Sequence, residues 1–298
     1  MNRRRALAIG AALLFGSAPV AAQAAARFWP PQRGPAQASA PTSPAGAAPA
    51  AAAASAAVVD LQVVERGGHY EVVVGNPLPG PVQVRLALDG GEGLRPVPVL
   101  PTTAVLPAGG GRSLVRLYRD SATTAAGWRL DLVRVPGDPR ARPRDYPYRL
   151  PFDGVRVRVD QGFGGGYSHA DAANRYAMDF ALPEGTPVLA ARNGVVLEIA
   201  DDDPRTGTGI RVLHDDGSMA VYAHLQAGSI PVRIGERVDS GQRIARSGNT
   251  GFSTAPHLHF AVQVNAGMQL RSIPFRMFAD AGELKFPREE TGAPDAPH

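Results

Sequence analysis

Histidines are the residues of this chain best suited to chemistry, and five of its seven lie between positions 169 and 259. The chain has no cysteine, so imidazoles and carboxylates are its strong candidates for metal ligands. His257 and His259 alternate with Leu258 and Phe260. Because residues two apart share one face of a strand, both imidazoles should lie on one face and the apolar side chains on the other. Such a pair suits metal binding and catalysis; the alternative is two polar residues on the solvated face of a sheet.

A carboxylate lies in the middle of another predicted strand, where aspartate is disfavoured. Asp179 alternates with Met178 and Phe180, so it should face away from the apolar side. A bound metal or a cation explains an aspartate there, and a structural salt bridge is the alternative. His169 lies in the loop that follows the glycines at 164–166, which permit close approach to the sheet.

Three further histidines lie in different settings. His224 follows Tyr222 in a β-rich run, so we expect both on one strand face, with His224 as a general base, a ligand or a packing residue. His214 precedes an Asp-Asp-Gly turn and should have a structural role there. His69 is alone in its predicted strand, where a surface or packing role is expected.

The elements that must position these residues are short strands separated by glycine and proline turns. They predict a mainly β protein, in which an antiparallel β-sheet catalytic domain is preceded by a small β-sandwich-like domain. The first group of strands is expected at 58–64, 69–74, 82–88, 114–117 and 128–135. The second group is expected at 155–159, 177–181, 187–190, 195–200, 210–214, 220–224, 242–245 and 257–264.

Composition divides the chain into five segments. Residues 1–24 resemble a signal peptide, with three arginines, a short apolar run and a small-x-small cleavage site; a retained anchor is the alternative, and export by the general or the twin-arginine route stays open. An Ala/Pro-rich linker is expected at 25–57, the β-sandwich-like domain at 58–145, the histidine-bearing domain at 146–283 and a disordered tail at 284–298. The mature chain should have no membrane span.

The net charge of +4 includes the three arginines of the predicted signal peptide. Removing them leaves a mature chain of about +1. No basic run interleaved with aromatic residues occurs, so the sequence gives no support for nucleic-acid binding.

Residues 160–275 resemble the lysostaphin-type zinc metalloendopeptidases of bacterial cell walls, over a little more than a third of the chain. Four motifs carry the resemblance in the order of that family: 168–169 with 174–180, 183–188 with 190–196, 222–225, and 247–251 leading into 257–260. The resemblance implies one Zn²⁺ held by His169, Asp179 and His259.

The same resemblance implies catalytic roles for His224 and His257. Many members of the family space their first two ligands as His-x-x-x-Asp, whereas nine residues separate His169 from Asp179 here. A longer-spaced variant is familiar in the family, and loop 170–176 is the part of the site that the resemblance describes least.

Three protein ligands and one open position are typical of a catalytic zinc, which lowers the pKa of its bound water and makes that water the nucleophile. The sequence has no His-Glu-x-x-His motif, so a histidine must act as general base. The sequence does not decide between His224 and His257 for this role.

The function that the resemblance implies is hydrolysis of peptide cross-links or stem peptides of peptidoglycan by an exported protein, in the periplasm or the extracellular cell wall. One alternative is a non-enzymatic regulator of wall hydrolases that keeps the same fold. Another is a secreted protease that acts on glycine-rich proteins. A regulatory protein partner, if there is one, is not identified by the sequence.

Overall fold

The computed structural model describes residues 59–119, 127–279 and 282–286 of the chain. Every regular element in these ranges is a β-strand, which confirms the predicted mainly β class. The described ranges include no helix of the length and apolar character that a membrane span needs. The predicted signal peptide and the predicted linker up to residue 57 lie outside the described residues.

The first half of the described chain forms two antiparallel sheets. One has the strand order β1-β2-β6-β4 and the other β5-β3-β7. Buried apolar side chains, mostly valine and leucine, alternate with less buried residues in β2, β3 and β5, and they join in one apolar cluster. The strands are β1 (Asp60–Arg66), β2 (His69–Gly75), β3 (Val82–Gly90), β4 (Leu94–Val97), β5 (Thr102–Leu106), β6 (Gly111–Arg119) and β7 (Trp128–Pro136).

The second half is built on an eight-stranded sheet of order β15-β12-β13-β14-β17-β10-β9, with β18 paired to β17. Two smaller sheets, β11-β16 and β20-β19-β8, accompany it. All pairings are antiparallel except that of β8 with β19. The strands are β8 (Pro147–Arg149), β9 (Val159–Gln161), β10 (Ala177–Phe180), β11 (Pro187–Leu189), β12 (Gly194–Asp203), β13 (Gly207–Leu213), β14 (Met219–Leu225), β15 (Arg237–Val238), β16 (Arg243–Arg246), β17 (Leu258–Asn265), β18 (Leu270–Ser272), β19 (Arg276–Ala279) and β20 (Gly282–Glu283).

One face of the eight-stranded sheet is apolar. Met178, Tyr222, Leu258 and Phe260 point into a buried cluster on this side. The opposite face of the same strands carries Asp179 and His259, both buried. The sheet is therefore a rigid platform, with its apolar core below and a row of polar side chains above.

The two halves also share packing. Leu197 and Met219 of the large sheet belong to the apolar cluster of the first half. Beside them, Glu198 accepts hydrogen bonds from Arg134 of β7 at 2.7 Å and from Arg211 of β13 at 3.1 Å. The division into domains at residues 58–145 and 146–283 stays a prediction.

One expectation about strand bounds is wrong. The strand predicted at 155–159 begins only at Val159, because its partner β10 has four residues and pairs with β9 only through Asp179 and Phe180. The tail predicted at 284–298 stays a prediction, and its residues 287–298 lie outside the described residues. The Leu284 N–H donates to the Met277 carbonyl at 2.8 Å, and Phe286 packs on the core.

Candidate metal centre

Strands β10 and β17 place a carboxylate beside an imidazole. In their antiparallel pairing Asp179 lies directly opposite His259. Side chains opposed in this way start about 5 Å apart, so these two must meet above the sheet. Ala223 of β14 is the next residue in the same row, and its small side chain leaves space over the sheet. The predicted orientation of Asp179 is confirmed, since Met178 and Phe180 pack in the core below.

His169 joins this pair from the loop before β10. Its Nε2 lies 3.2 Å from Asp179 Oδ1, and His259 Nδ1 lies 2.9 Å from the same oxygen. One possible ligand atom from each of the three residues lies within 4.8 Å of the others, and all three residues are buried. The structure therefore brings together the three residues that the sequence predicts as metal ligands.

Hydrogen bonds on the outer side of each ring determine which nitrogen faces this cluster. His169 Nδ1 lies 2.8 Å from the Gly162 carbonyl oxygen. A carbonyl oxygen only accepts, so Nδ1 carries the hydrogen and Nε2 turns its lone pair to Asp179. His259 is held the other way round, with its Nε2 at 3.1 Å from Asn174 Oδ1 and its Nδ1 toward Asp179.

Two nitrogen lone pairs and a carboxylate oxygen thus face one small space, and a cation must separate them. Burial raises the carboxyl pKa of Asp179, but a hydrogen bond and positive charge on the facing nitrogens of His169 and His259 outweigh burial and lower that pKa, so the carboxylate is an anion that requires a positive partner. Burial lowers the pKa of His259, which disfavours an extra proton as the cation. The donor set therefore fits a metal ion, and two imidazoles with one carboxylate are a known zinc set in hydrolases.

Gln161 holds the second oxygen of the carboxylate, a role that the sequence did not indicate. Its Nε2 donates to Asp179 Oδ2 at 3.1 Å and to Ser168 Oγ at 2.6 Å. Its Oε1 accepts from the Tyr167 N–H at 3.0 Å, which ties the glycine-rich loop to β9. The pairing of β9 with β10 sets Gln161 opposite Asp179, and no local sequence pattern encodes that register.

His224 reaches the polar face through a bulge in β14. Leu225 pairs with Thr208 and Tyr222 with Ile210, so two residues of β14 oppose one residue of β13. His224 is in the left-handed region with φ 59, which breaks the alternation of β14.

The expectation that Tyr222 and His224 share a strand face is therefore wrong. Tyr222 is buried in the apolar cluster, where its hydroxyl accepts a hydrogen bond from the Ala191 N–H at 2.7 Å. Only the bulge brings His224 to the side of the metal cluster.

His224 and His257 form a second histidine pair next to the metal cluster, with ring centroids 4.5 Å apart. His224 Nδ1 donates to the Thr250 carbonyl at 2.8 Å, and His257 Nδ1 donates to the Ala255 carbonyl at 2.8 Å. Both rings therefore keep Nε2 as an acceptor when neutral. His257 Nε2 lies 4.0 Å from Asp179 Oδ1. Burial lowers the pKa of His224 to about 3, helped by the nearby His257.

The two remaining described histidines lie elsewhere. His214 is buried behind the turn that follows β13, and its Nδ1 donates to the Asn193 carbonyl at 2.8 Å. His69 begins β2, where its ring stacks on Tyr118 with centroids 5.1 Å apart. Neither lines the groove described next.

An open groove of about 250 Å³ runs over the metal cluster and the histidine pair. Tyr167 and Phe252 rise beside it as exposed rings, stacked with centroids 6.2 Å apart. Arg205 adds a cation to the groove lining. The arrangement can admit an extended chain and place one of its bonds next to both histidine groups.

The motif resemblance is confirmed by comparison with known proteins. Residues 173–270 match the family model described as Peptidase family M23. Glycyl-glycine endopeptidase ALE-1 of Staphylococcus capitis is 39% identical over 97 residues, which cover 32% of this chain and 26% of that protein. Peptidoglycan DD-endopeptidase ShyA of Vibrio cholerae serotype O1 is 43% identical over 86 residues, covering 29% and 19%. Lysostaphin of Staphylococcus simulans is 40% identical over 92 residues, covering 30% and 18%.

The matched region spans about a quarter or less of the length of these relatives. It includes Asp179, His224, His257 and His259, while His169 lies just before it. Residues 173–270 of this chain form a domain of Peptidase family M23.

Proposed function

We propose that this protein is a zinc-dependent endopeptidase that hydrolyses peptide bonds in the stem peptides or cross-links of peptidoglycan. One observation carries the proposal: His169, Asp179 and His259 converge on one buried space whose donor atoms fit a metal ion. The pair His224 and His257 lies beside it and lines the same groove. His169, Asp179 and His259 would hold one Zn²⁺.

Zinc in such a site supplies a Lewis acid for the peptide carbonyl and for the attacking water. The protein's own residues must then move the proton. We assign proton uptake to His257, because burial lowers the pKa of His224 to about 3 and makes a protonated ring costly there. Asp179 Oδ1, 4.0 Å from His257 Nε2, stabilises the added positive charge. His224 stays neutral, and its Nε2 accepts a hydrogen bond that orients the water.

The substrate class is supported by the relatives, whose names describe a glycyl-glycine endopeptidase and a peptidoglycan DD-endopeptidase. The open groove suits an extended peptide better than a compact small molecule. Peptidoglycan lies outside the cytoplasmic membrane, so the proposal places the protein there and agrees with the signal peptide predicted at residues 1–24. In a bacterium with an outer membrane this location is the periplasm, and in one without it the location is the extracellular cell wall.

The test is digestion of purified sacculi, with the released muropeptides identified by mass. Wild type should release cleaved stems or cross-links, lose this activity when its metal is chelated, and regain it with Zn²⁺. His259→Ala should release nothing, and His69→Gln, which changes a histidine far from the groove, should act as wild type.

Three results would contradict parts of the proposal. Equal product patterns for wild type and His259→Ala would remove the metal-dependent mechanism. Zinc binding with no release of muropeptides would favour the regulator of wall hydrolases. Cleavage of a glycine-rich protein but not of sacculi would favour the secreted protease.

A further inference from the structure

The loop between His169 and Asp179 contains a compact hydrogen-bonded turn. Asp171 Oδ1 accepts from the Ala173 N–H at 2.9 Å, from the Asn174 N–H at 3.0 Å and from Asn174 Nδ2 at 2.7 Å. One carboxylate oxygen thus holds both the backbone of the turn and the side chain of Asn174.

This contact determines the orientation of a buried amide. A carboxylate only accepts hydrogen bonds, so the nitrogen of the Asn174 amide must face Asp171 and its oxygen must face the other way. On that other side Asn174 Oδ1 lies 3.1 Å from His259 Nε2. Asn174 is fully buried, so water cannot replace this contact. The amide oxygen therefore requires the hydrogen of the His259 ring to be on Nε2.

The turn itself is attached to the sheet. Gln263 Nε2 of β17 donates to the Ala173 carbonyl at 2.7 Å, and the Ser272 N–H of β18 donates to the Ala172 carbonyl at 2.8 Å. Two strands of the platform therefore hold the two residues that come directly before Asn174, the residue that contacts His259. A loop fixed in this way can orient a ring rather than merely cover it.

We propose that Asp171 and Asn174 are a positioning pair that sets the ring tautomer of His259, so that Nδ1 is the nitrogen offered to the metal. This role explains the longer spacing between His169 and Asp179, because the residues between them include both Asp171 and Asn174. The inference rests on the proposed function only in naming Zn²⁺ as the metal.

The test measures metal binding rather than turnover, in the full chain. Zinc affinity is measured by competition with a chromophoric chelator, and the absorption bands of the Co²⁺-loaded protein report ligand geometry. Asn174→Ala should weaken zinc binding about 10- to 100-fold, the range found when an outer partner of a metal-bound histidine is removed. Asp171→Ala should weaken it less, and Asp171→Asn, which keeps an oxygen acceptor for the turn, should restore most of the affinity.

A matched control is Asn265→Ala. Asn265 is also buried and its Nδ2 donates to the Gly137 carbonyl at 3.0 Å, but it does not line the groove. This variant should keep wild-type zinc affinity and Co²⁺ bands.

A second readout covers the case in which Asn174→Ala does not fold. In protein labelled with ¹⁵N-histidine, NMR of the metal-free wild type should show the His259 hydrogen on Nε2, and Asp171→Ala should lose that preference. A wild type that binds no zinc would defeat the proposed function while leaving the tautomer test intact. Equal zinc affinity in wild type, Asn174→Ala and Asp171→Ala, or a wild-type His259 hydrogen on Nδ1, would overturn the positioning pair.

Discussion

Acid should destabilise this protein through one buried histidine that takes no part in the proposed chemistry. His214 is 3% exposed and lies against the edge of Tyr148, with ring centroids 5.6 Å apart. Its Nδ1 donates to the Asn193 carbonyl, while within the described residues its Nε2 has no hydrogen-bond partner. Burial lowers its pKa from 6.5 to about 4, with a smaller contribution from the charge of Arg192, against the opposite effects of the hydrogen bond to Asn193 and of the charges of Asp216 and Asp215.

The sign follows from proton binding. The folded state keeps His214 neutral down to about pH 4, whereas the unfolded chain binds a proton below its usual pKa of 6.5. The stabilisation is therefore complete above pH 6.5, is lost as the pH falls from 6.5 to 4, and changes no further below that. At about 1.36 kcal/mol per pKa unit, the full effect is about 3 kcal/mol, of which about 2 kcal/mol is lost by pH 5.

The assay is urea unfolding of wild type and His214→Gln at pH 7.5 and pH 5. Other titrating groups are common to both proteins, so the comparison isolates His214. Wild type should lose about 2 kcal/mol more than the variant between the two pH values. Equal losses in the two proteins would refute the claim that His214 is held neutral by burial.

Two further predictions concern groups whose positions are set by long-range contacts. The side chains of Arg134 and Arg211 are 12% and 1% exposed, and both contact the Glu198 carboxylate. Because Glu198→Ala removes this shared partner, it should lower the free energy of unfolding in urea by about 3–5 kcal/mol. A loss below about 1 kcal/mol would mean that water reaches the arginines. His224 carries a left-handed backbone with φ 59 that costs a residue with a Cβ about 1–2 kcal/mol. His224→Gly should therefore be more stable than His224→Ala by about 1 kcal/mol in thermal unfolding, although neither should digest sacculi; equal stability would show that the bulge relaxes in the alanine variant.

Much of the sheet was predictable because strand periodicity is local. Alternation of apolar and polar residues within a few positions is enough to give Asp179 and His259 the face opposite Met178 and Phe260, and the structure agrees. The same rule failed at Tyr222 and His224, since a bulge depends on the register with β13, which no local pattern encodes.

The short strands show the same limit. Strands of two to four residues, such as β9 and β15, carry too few positions for a period to show. They exist because a longer neighbour supplies hydrogen-bond partners. For this reason the strand predicted at 155–159 lies instead at Val159–Gln161, and the sequence did not identify Gln161 as the partner of Asp179.

By itself, the sequence determined the strand class, the faces of Asp179 and His259, and the motifs that mark the M23 domain, because each of these depends on residues close together along the chain. Only the tertiary structure decided which nitrogens of His169 and His259 face Asp179 and how His224 reaches the groove. It also showed that Asn174, held by Asp171, contacts the outer nitrogen of His259. The contacts of His259 with Asp179 and Asn174 join residues 80 and 85 positions apart, and the bulge at His224 depends on the register with β13, so chain folding alone brings these atoms together.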